Sequence, residues 1–167
     1  METNKINNQA GFTLIELILV VAIIGMLTAA IAPSFTTILA DAGEASAKGI
    51  AGDVQSSINT IIAQNMAAGC TSSLGSGCAT TGAVDISGNL DAAGTGLCST
   101  LASGCFSRVI TSGVTNSSWS KTSATVYRYT VNGGGTLDFT YTPGTNTATF
   151  KCTTAAASSG GAALSCN

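Results

Sequence analysis

The chain contains no histidine, and only 8% of its 167 residues are charged. Without histidine there is no Ser-His-Asp triad, no Cys/His zinc site and no haem attachment through C-x-x-C-H. The charged fraction is far below the roughly one quarter usual in a soluble domain. Gly, Ala, Ser and Thr must therefore cover much of the surface, which suits packing against copies of the same chain. Basic residues are few and scattered, at Lys5, Lys48, Arg108, Lys121, Arg128 and Lys151. The concentrated positive stripe that a phosphate backbone requires is missing, so no specific nucleic acid is expected as a partner. No two cysteines form a C-x-x-C pair, which argues against a zinc ribbon or a thiol redox motif. Neither a metal nor a cofactor is expected. Acidic residues are spread thinly, and no acid, base and nucleophile converge in the pattern, so the chain does not read as an enzyme.

What is present begins with an apolar run. From Phe12 to Ala32 there are 21 residues with a single charge, Glu16. A helix of that length crosses about 30 Å of hydrocarbon at about 1.5 Å per residue. The run is apolar on every side, which separates it from a core helix with one buried stripe. Ala30-Ile31-Ala32 resembles a signal-peptide cleavage pattern, but Pro33 would follow the cut directly and only one Lys precedes the run. Beyond Pro33 the pattern becomes amphipathic, with Phe35, Ile38, Leu39, Ala42, Ala45, Val54, Ile58, Ile61, Ile62 and Met66 at spacings of three and four. Gly43, Gly49 and Gly52 would each cost about 1 kcal/mol against Ala inside a helix, and Gly69 offers a stop. One long helix over 12–68 is expected.

The six cysteines, Cys70, Cys78, Cys98, Cys105, Cys152 and Cys166, all lie beyond the apolar run. An even number in an exported region predicts disulfides and an oxidising compartment. Fifteen pairings are open, of which Cys152 with Cys166, closing a loop after the last strand, is the leading expectation. Cys70 with Cys78 and Cys98 with Cys105 are the simplest local pairs that remain. The stretch from Cys70 to Gly104 reads as a loop region. Phe106 to Thr111, Ala124 to Val131, Thr136 to Thr142 and Thr147 to Cys152 read as strands, with turns at Asn132 to Gly135 and Pro143 to Asn146. The fold class is therefore α+β: a long helix, membrane-spanning in its first half and amphipathic in its second, on an antiparallel sheet of three to four strands with disulfide-stapled loops. Tyr127, Tyr129, Leu137, Phe139 and Tyr141 form the sheet face that the amphipathic stripe from Phe35 to Met66 should cover. Other signals are weak. Asp85 to Asp91 lacks the spacing and terminal Glu of an EF-hand loop, so its polar residues suit turns better than calcium. Asn116-Ser117-Ser118 fits a glycosylation sequon that is common by chance.

A short polar leader ends in Gly11. Phe12-Thr13-Leu14-Ile15-Glu16 follows, then the apolar helix with Gly25 and Pro33. This arrangement resembles the N-terminal signature of type IV pilins and pseudopilins, closely over about residues 10–35 and in general architecture beyond. The resemblance implies that a prepilin peptidase cuts between Gly11 and Phe12 and methylates the new amino terminus. Gly11, having no side chain, lets a protease approach the backbone closely. An ionised Glu16 in an apolar segment costs a few kcal/mol unless compensated. Snorkelling and the helix N-terminus offer one compensation. The family implies another, pairing with the terminal ammonium of a neighbouring subunit. Pro33 removes a backbone donor and Gly25 weakens the helix, so a kink is expected, and the family implies that this stretch unwinds on assembly. The implied organisation is a leader over 1–11 that is removed, a transmembrane and assembly helix over 12–33, an amphipathic helix over 34–68 and a loop-plus-meander region over 69–167.

The function implied is a pilus subunit serving adhesion, twitching motility or DNA uptake. Its partners would be membrane lipid before assembly, prepilin peptidase, the inner-membrane assembly machinery and then copies of itself in an extracellular filament. The alternative is a pseudopilin of type II secretion, which would remain periplasmic. A membrane-anchored enzyme or binding protein is the remaining class.

Overall fold

The structure, a computed structural model, describes residues 12–67, 90–91, 95–100, 104–143, 147–157 and 163–166. The leader with Gly11, the stop at Gly69, Cys70, Cys78 and Asp85 lie outside the described residues. By internal contacts the chain divides into two compact units, one ending at Phe35 and the other beginning at Thr36.

A single α-helix, α1, runs from Leu14 to Ala67, Pro33 included. Its first turn is anchored on Thr13, whose carbonyl accepts the N–H groups of Glu16 at 3.1 Å and Leu17 at 3.3 Å. In the first unit every large apolar side chain from Phe12 to Ile31 is exposed, from 47% for Val20 to 89% for Phe12.

The second unit holds five antiparallel strands in sequential order: β1 (Gly96–Leu97), β2 (Trp119–Lys121), β3 (Val126–Val131), β4 (Gly135–Thr142) and β5 (Thr149–Ala157). The two-residue period of a strand puts Tyr127, Tyr129 and Val131 of β3 and Leu137, Phe139 and Tyr141 of β4 on the buried face. Their register is fixed by the pairs Tyr127 with Phe139 and Tyr129 with Leu137. The face expected from the sequence is thus the face that is buried. Between β3 and β4 the chain turns at Gly133, whose φ of 75° lies in the left-handed region that glycine enters without a Cβ penalty. A register shift at Asp138/Phe139 leaves Thr153 as the extra residue on β5, which runs on to Ala157, five residues past Cys152.

Two expectations fail. Phe106 to Thr111 is a turn and not a strand. Phe106 has φ of 65° and its carbonyl accepts the N–H groups of Val109 at 3.0 Å and Ile110 at 2.9 Å. Its ring is fully buried against Trp119, Tyr127 and Phe150, with centroids 4.7–5.2 Å apart. Burial of a large aromatic, a strong driving force, holds a backbone conformation that a β-propensity reading cannot foresee. The strands that complete the sheet on that side are the short β1 and β2.

The second fails only in part: Val54, Ile58, Ile61 and Ile62 of the expected stripe of α1 are buried, but its earlier members and Met66 are not. The buried residues are Ala40, Ala47, Ala51, Val54, Ile58, Ile61, Ile62 and Asn65, whereas Phe35, Ile38, Leu39, Ala42, Ala45 and Met66 are exposed. Small residues win in the first turns because the hairpin comes close to the helix. A Cβ on Gly43 would lie 2.9 Å from Val131 Cγ1, and one on Gly134 would lie 3.0 Å from the Ala40 Cβ. Larger side chains on this stripe would hold the two elements apart. Further along, Gln55 ties helix to sheet. Its Oε1 accepts the Phe150 N–H at 2.6 Å and its Nε2 donates to the Ala148 carbonyl at 3.3 Å.

Candidate functional site

The site singled out by the sequence is the start of α1. Thr13 sits just before the helix and Glu16 in its first turn. One carboxylate oxygen of Glu16, Oε2, accepts both the Thr13 N–H at 2.9 Å and the Thr13 hydroxyl at 2.8 Å. This is half of a capping box, in which an acidic residue three positions on satisfies a helix-start N–H that has no intrahelical acceptor. The spacing Thr13-x-x-Glu16 carries that signal in the sequence. Glu16 therefore has a local role, independent of any second chain. Around it, Phe12, Leu14, Ile15 and Leu17 are all exposed. Gly25 also lies in the open, since a Cβ there would meet nothing within 4 Å. Close packing within the chain thus gives no reason for a glycine at this position.

The helix is long and apolar enough to cross a membrane, and none of its most apolar 18-residue window is buried within the chain. An apolar surface of this size needs a cover of lipid or protein. Residues 6–32 match the prokaryotic N-terminal methylation motif, which is the type IV pilin and pseudopilin signal. Gly11, Phe12, Glu16 and Gly25 fall inside the match, and Pro33 is one residue beyond it. Comparison with curated proteins and comparison with solved structures each returned no match. The motif and the apolar helix fit membrane anchoring before assembly, and they point to a structural protein.

In the second unit, two disulfides staple the chain, Cys98 to Cys105 and Cys152 to Cys166. These are two of the three local pairs that the sequence suggested. Among the described residues no group of three His, Cys, Asp or Glu side chains could hold a metal ion. Asn116, the head of the sequon, uses its amide oxygen to accept the N–H groups of Ser118 at 3.0 Å and Trp119 at 3.1 Å, an Asx turn leading into β2.

Among the described residues three ion pairs occur. Lys48 bridges Glu44 at 2.8 Å along the helix. Arg128 on β3 faces Asp138 on β4 through two hydrogen bonds of 2.7 and 2.8 Å. Those bonds, with the Asp138 charge, raise the guanidinium's affinity for its proton above the ordinary value. Asp91, the last residue of the stretch considered for calcium, is buried and meets the buried Lys121 at 2.7 Å. The phenol of Tyr127 beside them is pushed well above its usual value, by burial first and by the Asp91 charge second. Sequence reasoning passed over this group because 30 residues separate Lys121 from Asp91.

Proposed function

We propose that this chain is a structural subunit of a type IV pilus, anchored in the inner membrane as a precursor and polymerised into a filament on the cell surface. The observation that carries the reading is the methylation motif over residues 6–32, joined to an apolar helical surface from Phe12 to Ile31 that the chain itself leaves uncovered. In this reading residues 1–11 are removed by prepilin peptidase between Gly11 and Phe12, and the new terminus is methylated. Lipid covers the segment over 12–33 before assembly. The same segments of neighbouring subunits cover it afterwards, which accounts for a helix that is apolar on all sides.

Glu16 then acts twice. Within the chain it caps the helix through Thr13. Between chains its carboxylate compensates the ammonium of an adjacent Phe12, since an unpaired charge in an apolar filament core is strongly disfavoured. Gly25 and Pro33 supply the weak points at which the helix opens during packing. The second unit, with the helix over 34–68 and the region over 69–167, forms the outer surface. Its small neutral polar residues and its disulfides suit exposure outside the cell. Adhesion, motility and DNA uptake are the roles open to such a filament.

Two measurements test this. Mass spectrometry of the purified protein should find a chain beginning at N-methylated Phe12, and an intact Met1 terminus in assembled material would refute the processing step. Electron microscopy of cell surfaces should find long filaments that vanish when the gene is deleted. Loss of a secreted substrate, with no change in surface filaments, would select a type II secretion pseudopilin instead.

A further inference from the structure

Lys121 and Asp91 meet where solvent is shut out. Lys121 Nζ lies 2.7 Å from Asp91 Oδ1, with side-chain exposures of 3% and 1%. Both partners are held in place. Lys121 lies on β2 directly opposite Tyr127 on β3, with its amine 5.8 Å from the centre of that ring. Leu90, next to Asp91, donates its N–H to the Tyr127 hydroxyl at 3.0 Å and accepts the Arg108 N–H at 3.3 Å. The backbone on both sides of the pair is thus tied to its surroundings.

As a carboxylate, Asp91 is poorly served. Asp91 Oδ2 is buried with no hydrogen-bond partner. The surroundings are aromatic: Trp119 two residues away on the same face of β2, with Phe106 packed on both Trp119 and Tyr127. A buried carboxylate oxygen without a hydrogen bond is costly. Proton transfer from the ammonium to the carboxylate leaves a neutral amine in contact with a carboxylic acid, which is a nucleophile held against an electrophile.

We propose that Lys121 and Asp91 condense into an intramolecular amide, an isopeptide cross-link between the segment at Asp91 and strand β2. The amine nitrogen attacks the Asp91 side-chain carbon and a C–N bond forms. The C–O bond to the protonated oxygen breaks, and that hydroxyl leaves as water with a proton from the amine. No electrons are gained or lost, and no co-reactant is required. The Tyr127 phenol, whose oxygen accepts the Leu90 N–H at 3.0 Å, brings an O–H donor beside the pair for the oxygen on which charge develops. Fixed proximity supplies the driving advantage, since well-oriented intramolecular reactions behave as if the partners were at about 10⁵ M or more. The product replaces two buried charges with one neutral amide.

Peptide mapping of the full chain, purified from membranes in detergent, then reduced, alkylated and cut with trypsin, tests this directly. An acylated Lys121 resists trypsin. The expected product is therefore residues 49–108 joined to residues 109–128, one water lighter than the sum of the two peptides. In a Lys121→Met chain the two regions should separate. Recovery from wild-type protein of a free peptide 109–121, together with an unmodified 49–108, would overturn the proposal. Because the measurement is made on unmutated protein, it does not depend on a variant folding, and it stands apart from the filament reading.

Discussion

Alanine at each of three glycines in α1 should give opposite outcomes, although in the helix pattern they look alike. Gly43, Gly49 and Gly52 all lie inside the helix, where Gly costs about 1 kcal/mol relative to Ala. At Gly49 and Gly52 an added Cβ meets nothing within 4 Å. Each substitution there should stabilise the protein by about 1 kcal/mol, a rise in Tm of roughly 4 °C for a unit of this size. At Gly43 the same methyl would lie 2.9 Å from Val131 Cγ1, with the Val131 Cβ at 3.8 Å and Cα at 3.9 Å. Val131 is almost fully buried and cannot swing away. Overpacking of this kind costs about 1–3 kcal/mol. Set against the helix gain, Gly43→Ala should leave the protein between unchanged and about 2 kcal/mol less stable. Val131→Ala should relieve the clash, so the double variant should lose less than the two single losses added together. Thermal unfolding of the detergent-dispersed chain, followed through the near-ultraviolet signal of Trp119 and the tyrosines, reads all five variants. Equal stabilisation at all three glycines would show that the hairpin does not approach the helix as described, and the packing of the second unit would have to be redrawn.

Glu16→Gln keeps a carbonyl oxygen for the two Thr13 donors but removes the charge, so it should insert and be processed normally yet fail to build filaments, as Glu16→Ala should. Filaments from Gln but not from Ala, seen by microscopy with membrane fractionation as control, would reduce Glu16 to a capping residue. Replacing Cys152 and Cys166 together by Ala opens a loop with sequence separation 14 and should lower stability by about 3 kcal/mol; an unchanged denaturation midpoint would refute this. The phenol of Tyr127 is raised chiefly by burial from its usual value of 10.0, a cause that persists whether or not Asp91 is charged, so unfolded chains ionise there near pH 10 while folded ones do not. The stability it contributes is intact below that pH and falls as pH rises beyond it, by about 1.4 kcal/mol per unit. Tm against pH should therefore drop less steeply above about pH 10 for Tyr127→Phe than for wild type, and equal slopes would count against the buried phenol.

What could be read in the chain was whatever depends on near neighbours. The apolar run from Phe12, the junction at Gly11 and the Glu16 spacing are local, and the motif match covers them. Tyr127, Tyr129, Leu137, Phe139 and Tyr141 were legible as one buried face because a strand alternates regardless of what covers it. The Thr13 to Glu16 cap was legible too, in a spacing of three that was not used.

The tertiary structure decided the rest. Amphipathic spacing allowed several stripes on the helix after Pro33, and the closeness of the hairpin selected the one lined by Ala40, Gly43, Ala47 and Ala51, leaving Ile38 and Leu39 outside. Phe106 leaves the strand pattern because its ring completes a cluster whose other members arrive from β2, β3 and β5. Asp91 and Lys121, unremarkable 30 positions apart, become a buried reactive pair only when the sheet closes over them. By itself the sequence determined which segment is long and apolar enough to cross a membrane, because a long apolar segment needs no folded partner to be excluded from water. Which side chains meet inside the second unit was settled only by packing, because those contacts join residues that the chain order does not bring together.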